Sequence, residues 1–281
     1  MLRTASPLIG AVGVIFMIDE DNVTAFDEEF ASLCSEANDL VLSAIAACPF
    51  KSTLKAMASL VAATDSIKLG VIQAARAPNA YCTAILYRSV IEHFVRFEYL
   101  YFRLMESKSD DAGKEFELYS HISEAVELAN AWKLVKGLKG SPTALDPIEV
   151  LKELPSVPRS LTKKDIESIV AKWKYRSAIR FIAKKFQERG AEATILLNMI
   201  PAYAELSSFV HGGKAAEHIY SGLFNSKNES EEAWHHAQWA CILANSMKPQ
   251  FALILAKSEP LIAPHVSNQM HFLQTYLGDD T

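Results

Sequence analysis

The most informative stretch for the fold is YRSVIEHFVRFEYLYFR, Tyr87–Arg103. Its apolar and aromatic side chains recur at intervals of three and four residues, which is the period of an α-helix. At about 100° of rotation per residue, the polar side chains fall within one arc of about 140°, and apolar side chains fill the remainder. We therefore predict a long, largely buried helix from about Asn79 to Met105.

The same spacing recurs along most of the chain, and no stretch alternates with the period of two that strands require. Glycine and proline, with 11 residues each among 281, separate the periodic stretches. Thr24 and Thr162 are predicted N-caps, because a threonine hydroxyl can accept from the free amides of a helix start. Pro201 is predicted to kink its helix or to open a new one. The predicted helices cover about 24–47, 52–75, 79–105, 110–138, 162–189, 192–211 and 229–257.

These helices predict an all-α fold, a multi-helix antiparallel bundle of about 7–9 helices with short connections. Four prolines fall between Gly140 and Arg159, and this loop is the predicted boundary or flap within one overall domain. The predicted segments are an apolar and acidic N-terminal segment (1–23), a first half of the bundle (24–139), a Pro-rich loop (140–160) and a second half (161–281).

The N-terminal run PLIGAVGVIFMI, Pro7–Ile18, is apolar but too short to cross a bilayer. An acidic segment follows it without an obvious small-residue cleavage site. We therefore predict a packed N-terminal segment and no membrane partner. A signal-peptide core is one alternative, and a translation start at Met17 is the other.

Charge is distributed unevenly along the chain, whose formal net charge is −5. No basic residue lies between Arg3 and Lys51, whereas Arg159–Arg189 carries ten Lys and Arg side chains against three acidic ones. The overall balance argues against a generally basic nucleic-acid binder. If the protein binds a nucleic acid, we expect it to contact the Arg159–Arg189 stretch first.

The four cysteines are widely spaced and form no Cys-x-x-Cys pair. This spacing predicts reduced thiols and a cytoplasmic protein, and it indicates neither a zinc knuckle nor a disulfide framework. Several histidines, among them His218, His235 and His236, could in principle join a metal site, but their spacing matches no metal motif. We predict no metal and no cofactor. The cysteines are Cys34, Cys48, Cys82 and Cys241.

The polar arc of the Asn79–Met105 helix holds the first candidate site residues, Arg88, Glu92 and His93. One interpretation is architectural, because Arg88 and Glu92 are spaced for an i,i+4 ion pair that contributes only a few tenths of a kcal/mol. The other interpretation is that the arc lines a cleft. Glu98 lies alone in the apolar arc, so its carboxylate needs a partner or a raised pKa if it is buried.

The segment RSVIEH, Arg88–His93, resembles the Arg-x4-His motif of the HEPN superfamily, a group of α-helical bundles. Many members are metal-independent endoribonucleases of toxin–antitoxin and phage-defence systems, in which the Arg and His flank the scissile phosphate, usually at a dimer interface. The resemblance implies that Arg88 stabilises the phosphate and that His93 transfers protons, with Glu92 as a positioning residue. Attack of an RNA 2′-hydroxyl on the adjacent phosphate requires such a proton-transfer group and such a cation.

A second resemblance spans more of the chain. Arg88-x3-Glu92, followed much later by Ser208-x-x-His211, is similar to an uncharacterised family of bacterial helical proteins that pairs an Arg/Glu helix with a Ser-x-x-Val-His segment. His211 is predicted in the last turn of a helix, where the dipole favours an imidazolium, and the hydroxyl of either Ser207 or Ser208 can reach its ring. We expect Ser208 to bind substrate and His211 to be the other candidate for proton transfer. A helix C-terminus with a half-buried histidine is the alternative.

The basic stretch interleaves cations with aromatic side chains between Lys172 and Phe186. This pattern suits phosphate contacts combined with base stacking. It equally describes an amphipathic helix with a solvated cationic face. Under the first interpretation, the predicted substrate-binding residues are Lys172, Lys174, Arg176 and Arg180.

The leading hypothesis is a HEPN-like helical protein that acts as a metal-independent endoribonuclease or as an RNA-binding effector in stress response or phage defence. RNA and a second copy of the chain are the expected partners, and Trp234 and Trp239 are available to a dimer interface or to the core. One alternative is a non-catalytic helical adaptor whose polar residues form a structural network. The other is a protein with a pocket for a nucleotide or another small anion.

Overall fold

The computed structural model describes residues 18–77, 79–139, 151, 157–188, 194–210, 217 and 229–277. Over these residues the protein is all α-helical, as predicted, and it has ten helices where seven to nine were expected. The predictions for Pro7–Met17 lie outside the described residues. In chain order the helices are α1 (Glu20–Ser35), α2 (Asn38–Ala47), α3 (Lys51–Arg76), α4 (Ala80–Ser107), α5 (Asp111–Leu138), α6 (Lys163–Trp173), α7 (Tyr175–Glu188), α8 (Thr194–Val210), α9 (Glu229–Leu255) and α10 (Ile262–Leu277).

Helix α1 begins four residues before the predicted start. Asp19 is the N-cap, and its Oδ1 accepts from the Asn22 amide at 2.9 Å. Thr24 lies inside the helix, where its hydroxyl donates to the Glu20 carbonyl at 2.6 Å. The prediction of Thr24 as N-cap is therefore wrong. Asp19 caps the helix equally well and places further acidic residues in the first turn, where the helix dipole favours them.

The first predicted helix is divided into α1 and α2. Three of the last four residues of α1 are Ser or Cys, which favour helix interiors weakly, and the backbone turns at Ala37. Gln269 of α10 donates from Nε2 to the Leu33 carbonyl at 3.3 Å. This bond satisfies one of the carbonyls that the end of α1 leaves without an intrahelical partner.

The predicted helix 162–189 is also divided. Thr162 is the N-cap of α6, as predicted, and it forms a capping box in which its side chain and that of Asp165 each accept from the other's backbone amide. Lys174 then adopts an extended conformation, with φ −60° and ψ 136°. The helix therefore ends at Trp173 and resumes at Tyr175, so the basic stretch lies on two helices.

Helices α3, α4 and α9 form the centre of the bundle, and each packs against the other two. On α4, Val90, Phe97 and Leu100 are fully buried, as the predicted apolar arc requires. Trp234 and Trp239 of α9 are also buried within the core. Around this centre, α4 further contacts α5, α7 and α8, which bring the remaining candidate site residues to it.

The directions of the central helices follow from their side-chain pairs. The ion pair of Asp65 with Lys248 and the contact of Lys68 with Asn245 make α3 antiparallel to α9. Thr83 pairs with His236 and Glu98 pairs with Gln250, so α4 and α9 run in the same direction. Two parallel helices cannot be joined by a short connection, and here about 120 residues separate them.

Helices α3 and α5 meet at their first turns. The Asp110 carboxylate accepts from the Ser52 and Thr53 amides at 2.9 and 2.8 Å, and thereby caps α3 from outside. Burial of Asp110 opposes its charge, but these backbone hydrogen bonds lower the pKa of the carboxyl group overall. The Gly113 amide donates to the Thr53 hydroxyl at 3.1 Å. The two backbones approach so closely here that a Cβ on Gly113 would lie 2.1 Å from the Thr53 nitrogen.

A buried polar cluster joins α1, α3 and α9. Lys68 is only 4% exposed, and its Nζ lies 2.6 Å from Asp27 and 3.2 Å from Asp65. Asn245 donates to Asp27 at 2.9 Å, and Lys248 pairs with Asp65 at 3.0 Å. Burial disfavours the charge of Lys68, yet the two aspartates raise its pKa overall, so the ammonium group stays charged. We call these five residues the Lys68 cluster.

Part of the predicted Pro-rich loop belongs to the packed protein. Leu151 and Val157 are buried in a second small core with Ile122 of α5 and Ile166 of α6. Residues 140–150 and 152–156 of the predicted flap lie outside the described residues. All four cysteines are free thiols. None of the described helices combines the length and the apolar character needed to cross a membrane.

Candidate functional site

Arg88 and Glu92 form the ion pair that their spacing predicts. Arg88 Nη2 lies 2.8 Å from Glu92 Oε1, and the two side chains are 20% and 24% exposed. They lie one turn apart on α4, on the face that meets α8. The pair is therefore neither a free surface ion pair nor part of the sealed core.

Two residues of α8 complete this pair. The Tyr203 hydroxyl donates to Glu92 Oε1 at 2.7 Å and accepts from Arg88 Nη2 at 3.1 Å. The Ser207 hydroxyl accepts from Arg88 Nε at 3.1 Å. Burial and the hydrogen bond to the Glu92 carboxylate raise the pKa of Tyr203, so its hydroxyl stays protonated. We call these four residues the Arg88 site.

The serine that contacts Arg88 is Ser207, whereas Ser208 is the serine predicted to bind substrate. Ser208 is half-buried on α8 one residue further on. Tyr203 was not predicted at all. Tyr203 and Ser207 are four residues apart, which places them on one face of α8, and this spacing is the only signal in the sequence that could have identified them. Pro201 lies inside α8, so it does not open a new helix.

Tyr175, the first residue of α7, stacks on the Tyr203 ring with 3.7 Å between centroids and 17° between planes. Its buried hydroxyl has no hydrogen-bond partner among the described residues. Burial raises the pKa of Tyr175, and the nearby Tyr203 and Glu92 raise it further. Through this stack, the Arg88 site is in contact with the first residue of α7.

The predicted cations of the basic stretch differ in their surroundings. Lys174, Arg176 and Arg180 are exposed, and we call these three residues the basic surface. Lys172 is exposed too, but its Nζ pairs with Glu115 of α5 at 2.9 Å. The same carboxylate also binds Arg103 and the indole of Trp173. Among the four predicted substrate-binding residues of this stretch, Lys172 is thus already bound within the protein.

His93 is half-buried on α4, and its Nδ1 lies 2.7 Å from the Ser89 carbonyl oxygen. A carbonyl only accepts, so Nδ1 carries the proton and Nε2 is the free lone pair in the neutral ring. Helix α4 continues without a break through both residues. Arg88 and His93 are five apart on this helix, so their side chains point about 140° apart around its axis, and no contact between them is found among the described residues. His211 lies outside the described residues.

A second group of titratable side chains lies deeper, between the starts of α4 and α9. His236 Nδ1 is 3.0 Å from the Thr83 hydroxyl, which itself donates to the Ala80 carbonyl, so Nδ1 is the donor. Its ring stacks on buried Tyr87 at 5.5 Å. Burial, with a small effect of neighbouring His235, lowers the pKa of His236 to about 3.

Glu98 is buried, as its place in the apolar arc predicts, and Gln250 of α9 donates to its Oε1 at 2.6 Å. No group of three His, Cys, Asp or Glu residues within the described ranges has a geometry that could hold a metal ion. His218, a predicted alternative ligand, lies outside those ranges.

Comparison of the chain with protein-family models, with curated proteins and with solved structures found no significant match. The HEPN-like assignment therefore stays a prediction carried by Arg88, Glu92 and His93.

Proposed function

We propose that this protein binds RNA, with the basic surface in contact with phosphate groups and the Arg88 site beside the bound strand. The observation that supports this proposal is the stack of Tyr175 on Tyr203. Tyr175 lies between Lys174 and Arg176 in the chain, and Tyr203 belongs to the Arg88 site. The stack therefore brings two regions that are far apart in the sequence next to each other.

The Arg88 site and the basic surface have different roles in this proposal because their charges differ. Within the Arg88 site the guanidinium of Arg88 is neutralised by Glu92 at 2.8 Å, so this pair attracts a distant phosphate only weakly. The three exposed cations of the basic surface have no described ion-pair partner and provide the long-range attraction on an otherwise acidic protein. A phosphate at the Arg88 site would compete with Glu92 for the guanidinium.

The binding test uses single-stranded RNA and fluorescence anisotropy at several salt concentrations. Arg176→Ala and Arg180→Ala should each weaken binding, and each should reduce the slope of log K against log salt by about 0.7 for every phosphate that the variant no longer neutralises. Lys55→Ala is the matched control, because Lys55 is 78% exposed on α3 and its removal changes the net charge equally. Equal effects of all three substitutions, or no binding by the parent, would contradict the proposal.

Metal-independent RNA cleavage is the second candidate function, in keeping with an effector of stress response or phage defence. The observation in its favour is the hydrogen bond that orients His93, because a ring held at Nδ1 presents Nε2 for proton transfer. Arg88 would stabilise the charge on the phosphate, and Glu92 would orient the guanidinium. His211 is the other proposed proton-transfer residue.

The cleavage test incubates total RNA with the purified protein in EDTA. We expect the parent to cleave and His93→Ala or His211→Ala to abolish cleavage, while His271→Ala, a change of an exposed histidine on α10, leaves the rate unchanged. Cleavage by all variants would point to a contaminating nuclease. Binding without cleavage would restrict the function to RNA binding, with the Arg88–Glu92 pair as a structural element.

A further inference from the structure

The second half of α5 has apolar side chains on two faces. Ile122 and Ala129 are buried against the rest of the protein, whereas Leu128, Trp132 and Leu138 are 53%, 48% and 81% exposed. Of the twelve large apolar side chains that are exposed among the described residues, five lie on eleven consecutive residues of this helix. Such a concentration is a patch, and a patch of this kind marks an interaction surface.

The exposed side chains form a stripe. At about 100° per residue they fall within an arc of about 160°, roughly opposite the buried face that contains Ile122 and Ala129. The helix from Glu124 to Lys139 is about 24 Å long at 1.5 Å per residue. We call the following six residues the α5 stripe: Leu128, Ala131, Trp132, Leu134, Val135 and Leu138.

The charges beside the α5 stripe are ordered along the helix. On the same side of the helix, Glu124 and Glu127 precede the stripe, and Lys139 follows it at the other end. An identical helix laid antiparallel would place acidic groups opposite basic groups at both ends. A parallel arrangement would place like charges together, which is unfavourable. The surface is thus complementary to itself in one orientation.

We propose that the α5 stripe is a homodimer interface in which α5 pairs antiparallel with α5 of a second copy of the chain. The pairing is twofold symmetric, so each contact occurs twice. Glu124 lies opposite Lys139 of the partner subunit, and Leu128 lies opposite Val135 of the partner subunit. Trp132 lies next to the symmetry axis, where it is covered on both sides.

The size of the stripe sets the strength of the dimer. A pair of helices of about 24 Å buries an area near the lower limit of specific interfaces, which is about 1,000 Å² in total. We therefore expect a dissociation constant in the micromolar range. The inference does not depend on RNA binding, because none of these residues belongs to the basic surface or to the Arg88 site.

The test measures the oligomeric state of the full chain by analytical ultracentrifugation between about 1 and 200 µM, a range that brackets a micromolar constant. Glu124→Lys and Lys139→Glu should each weaken the dimer by about tenfold or more at low salt, because each creates two like-charge contacts. An equimolar mixture of the two variants should associate as tightly as the parent, since both contacts become attractive again. Lys55→Glu is the control for a charge reversal elsewhere.

Trp132→Ala should also weaken association while leaving the thermal unfolding temperature of dilute, monomeric protein unchanged, because this indole contacts the partner subunit. A parent that stays monomeric at 200 µM would overturn the proposal, and so would a monomer whose Trp132 is shielded by another part of its own chain. A dimer that responds equally to Lys55→Glu, or single-charge variants that do not recover on mixing, would place the interface elsewhere.

Discussion

Tyr203 positions the side chains of Arg88 and Glu92. Its hydroxyl is both donor and acceptor, with Glu92 at 2.7 Å and Arg88 at 3.1 Å. The ring of the same residue lies under the guanidinium, with 5.1 Å between Arg88 Cζ and the ring centroid. The hydroxyl and the ring of Tyr203 therefore both hold the Arg88–Glu92 pair in place, the hydroxyl through hydrogen bonds and the ring through its contact with the guanidinium.

Replacement of Tyr203 by Phe removes these two hydrogen bonds and keeps the stack on Tyr175. We expect the free energy of unfolding to fall by about 1–2 kcal/mol, because partly buried charged groups lose a partner. Urea denaturation measures the change. Tyr119→Phe is the control, since its ring stacks on Trp173 and its hydroxyl has no hydrogen bond to a described residue; we expect an effect below about 0.5 kcal/mol there. Equal decreases would mean that the Arg88 site contributes nothing specific.

His236 makes stability depend on pH. Its pKa is about 3 in the folded protein, lowered mainly by burial, whereas an unfolded chain has a histidine pKa of about 6.5. Below pH 6.5 the unfolded state therefore binds the extra proton and the folded state does not, so stability falls as the pH falls. The expected slope is about 1.4 kcal/mol per pH unit between pH 6 and 4.5.

Urea denaturation across that pH range, with His236→Gln and His271→Gln beside the parent, measures this contribution. The slope of the free energy of unfolding against pH should become shallower in the His236→Gln variant alone. His271 is exposed, so its protonation should differ little between the folded and unfolded states. A slope in the His236→Gln variant equal to that of the parent would show that the folded protein accommodates the charged ring, because Glu232, whose raised pKa acts in the opposite direction, is present in both.

The sequence predicted the half of the Arg88 site that lies on one helix. Spacing alone connects Arg88 to Glu92, because residues four apart on a helix are neighbours. Tyr203, Ser207 and Tyr175 reach the site through the packing of α7 and α8 on α4, and no local pattern encodes which helices meet. The contact of Ser207 with Arg88 could not be predicted for that reason, since adjacent residues differ by about 100° around the axis and the packing of α8 on α4 decides which serine faces Arg88.

The junction of α3 and α5 depends on a residue with no side chain. Gly113→Ala would place a Cβ 2.1 Å from the Thr53 nitrogen, so the two helices would have to separate. We expect the free energy of unfolding to fall by about 3 kcal/mol or more, because the obstacle is backbone and cannot rotate away.

Gly137→Ala is the matched control on the same helix. Its Cβ would meet nothing within 4 Å, so the better helix propensity of alanine should stabilise the protein by roughly 0.5–1 kcal/mol. Opposite signs for the two substitutions, read from thermal denaturation, are the expected result. A tolerated Gly113→Ala would mean that α3 and α5 can separate without cost.

Helix identity was more predictable than helix limits. The apolar spacing that predicted α3, α4, α5 and α9 reflects a buried face, which the folded protein confirms. The divisions at Ala37 and Lys174 leave that spacing nearly intact, so periodicity cannot reveal them. At the first division a tertiary contact replaces an intrahelical hydrogen bond, because Gln269 donates to the Leu33 carbonyl. Helix α10 was missed altogether.

The Lys68 cluster holds three helices together through charge. Lys68→Met would leave Asp27 and Asp65 with an uncompensated negative charge in a buried place, at an expected cost of about 3–5 kcal/mol. Lys55→Met, on the same helix but 78% exposed, should change stability by less than about 0.5 kcal/mol. Chemical denaturation compares the two variants, and a difference below about 1 kcal/mol would show that the cluster is not a stabilising element.

The parallel arrangement of α4 and α9 has a consequence for the growing polypeptide. Helix α4 emerges from the ribosome with much of its aromatic surface uncovered, and its partner α9 is complete only about 150 residues later. At 5–20 residues per second this interval is roughly 7–30 s. During that time the nascent chain exposes the side of α4 that contacts α9, including Tyr87, an aromatic side chain of the kind that chaperones bind. Synthesis rate and chaperone supply should therefore limit the yield of this protein in cells.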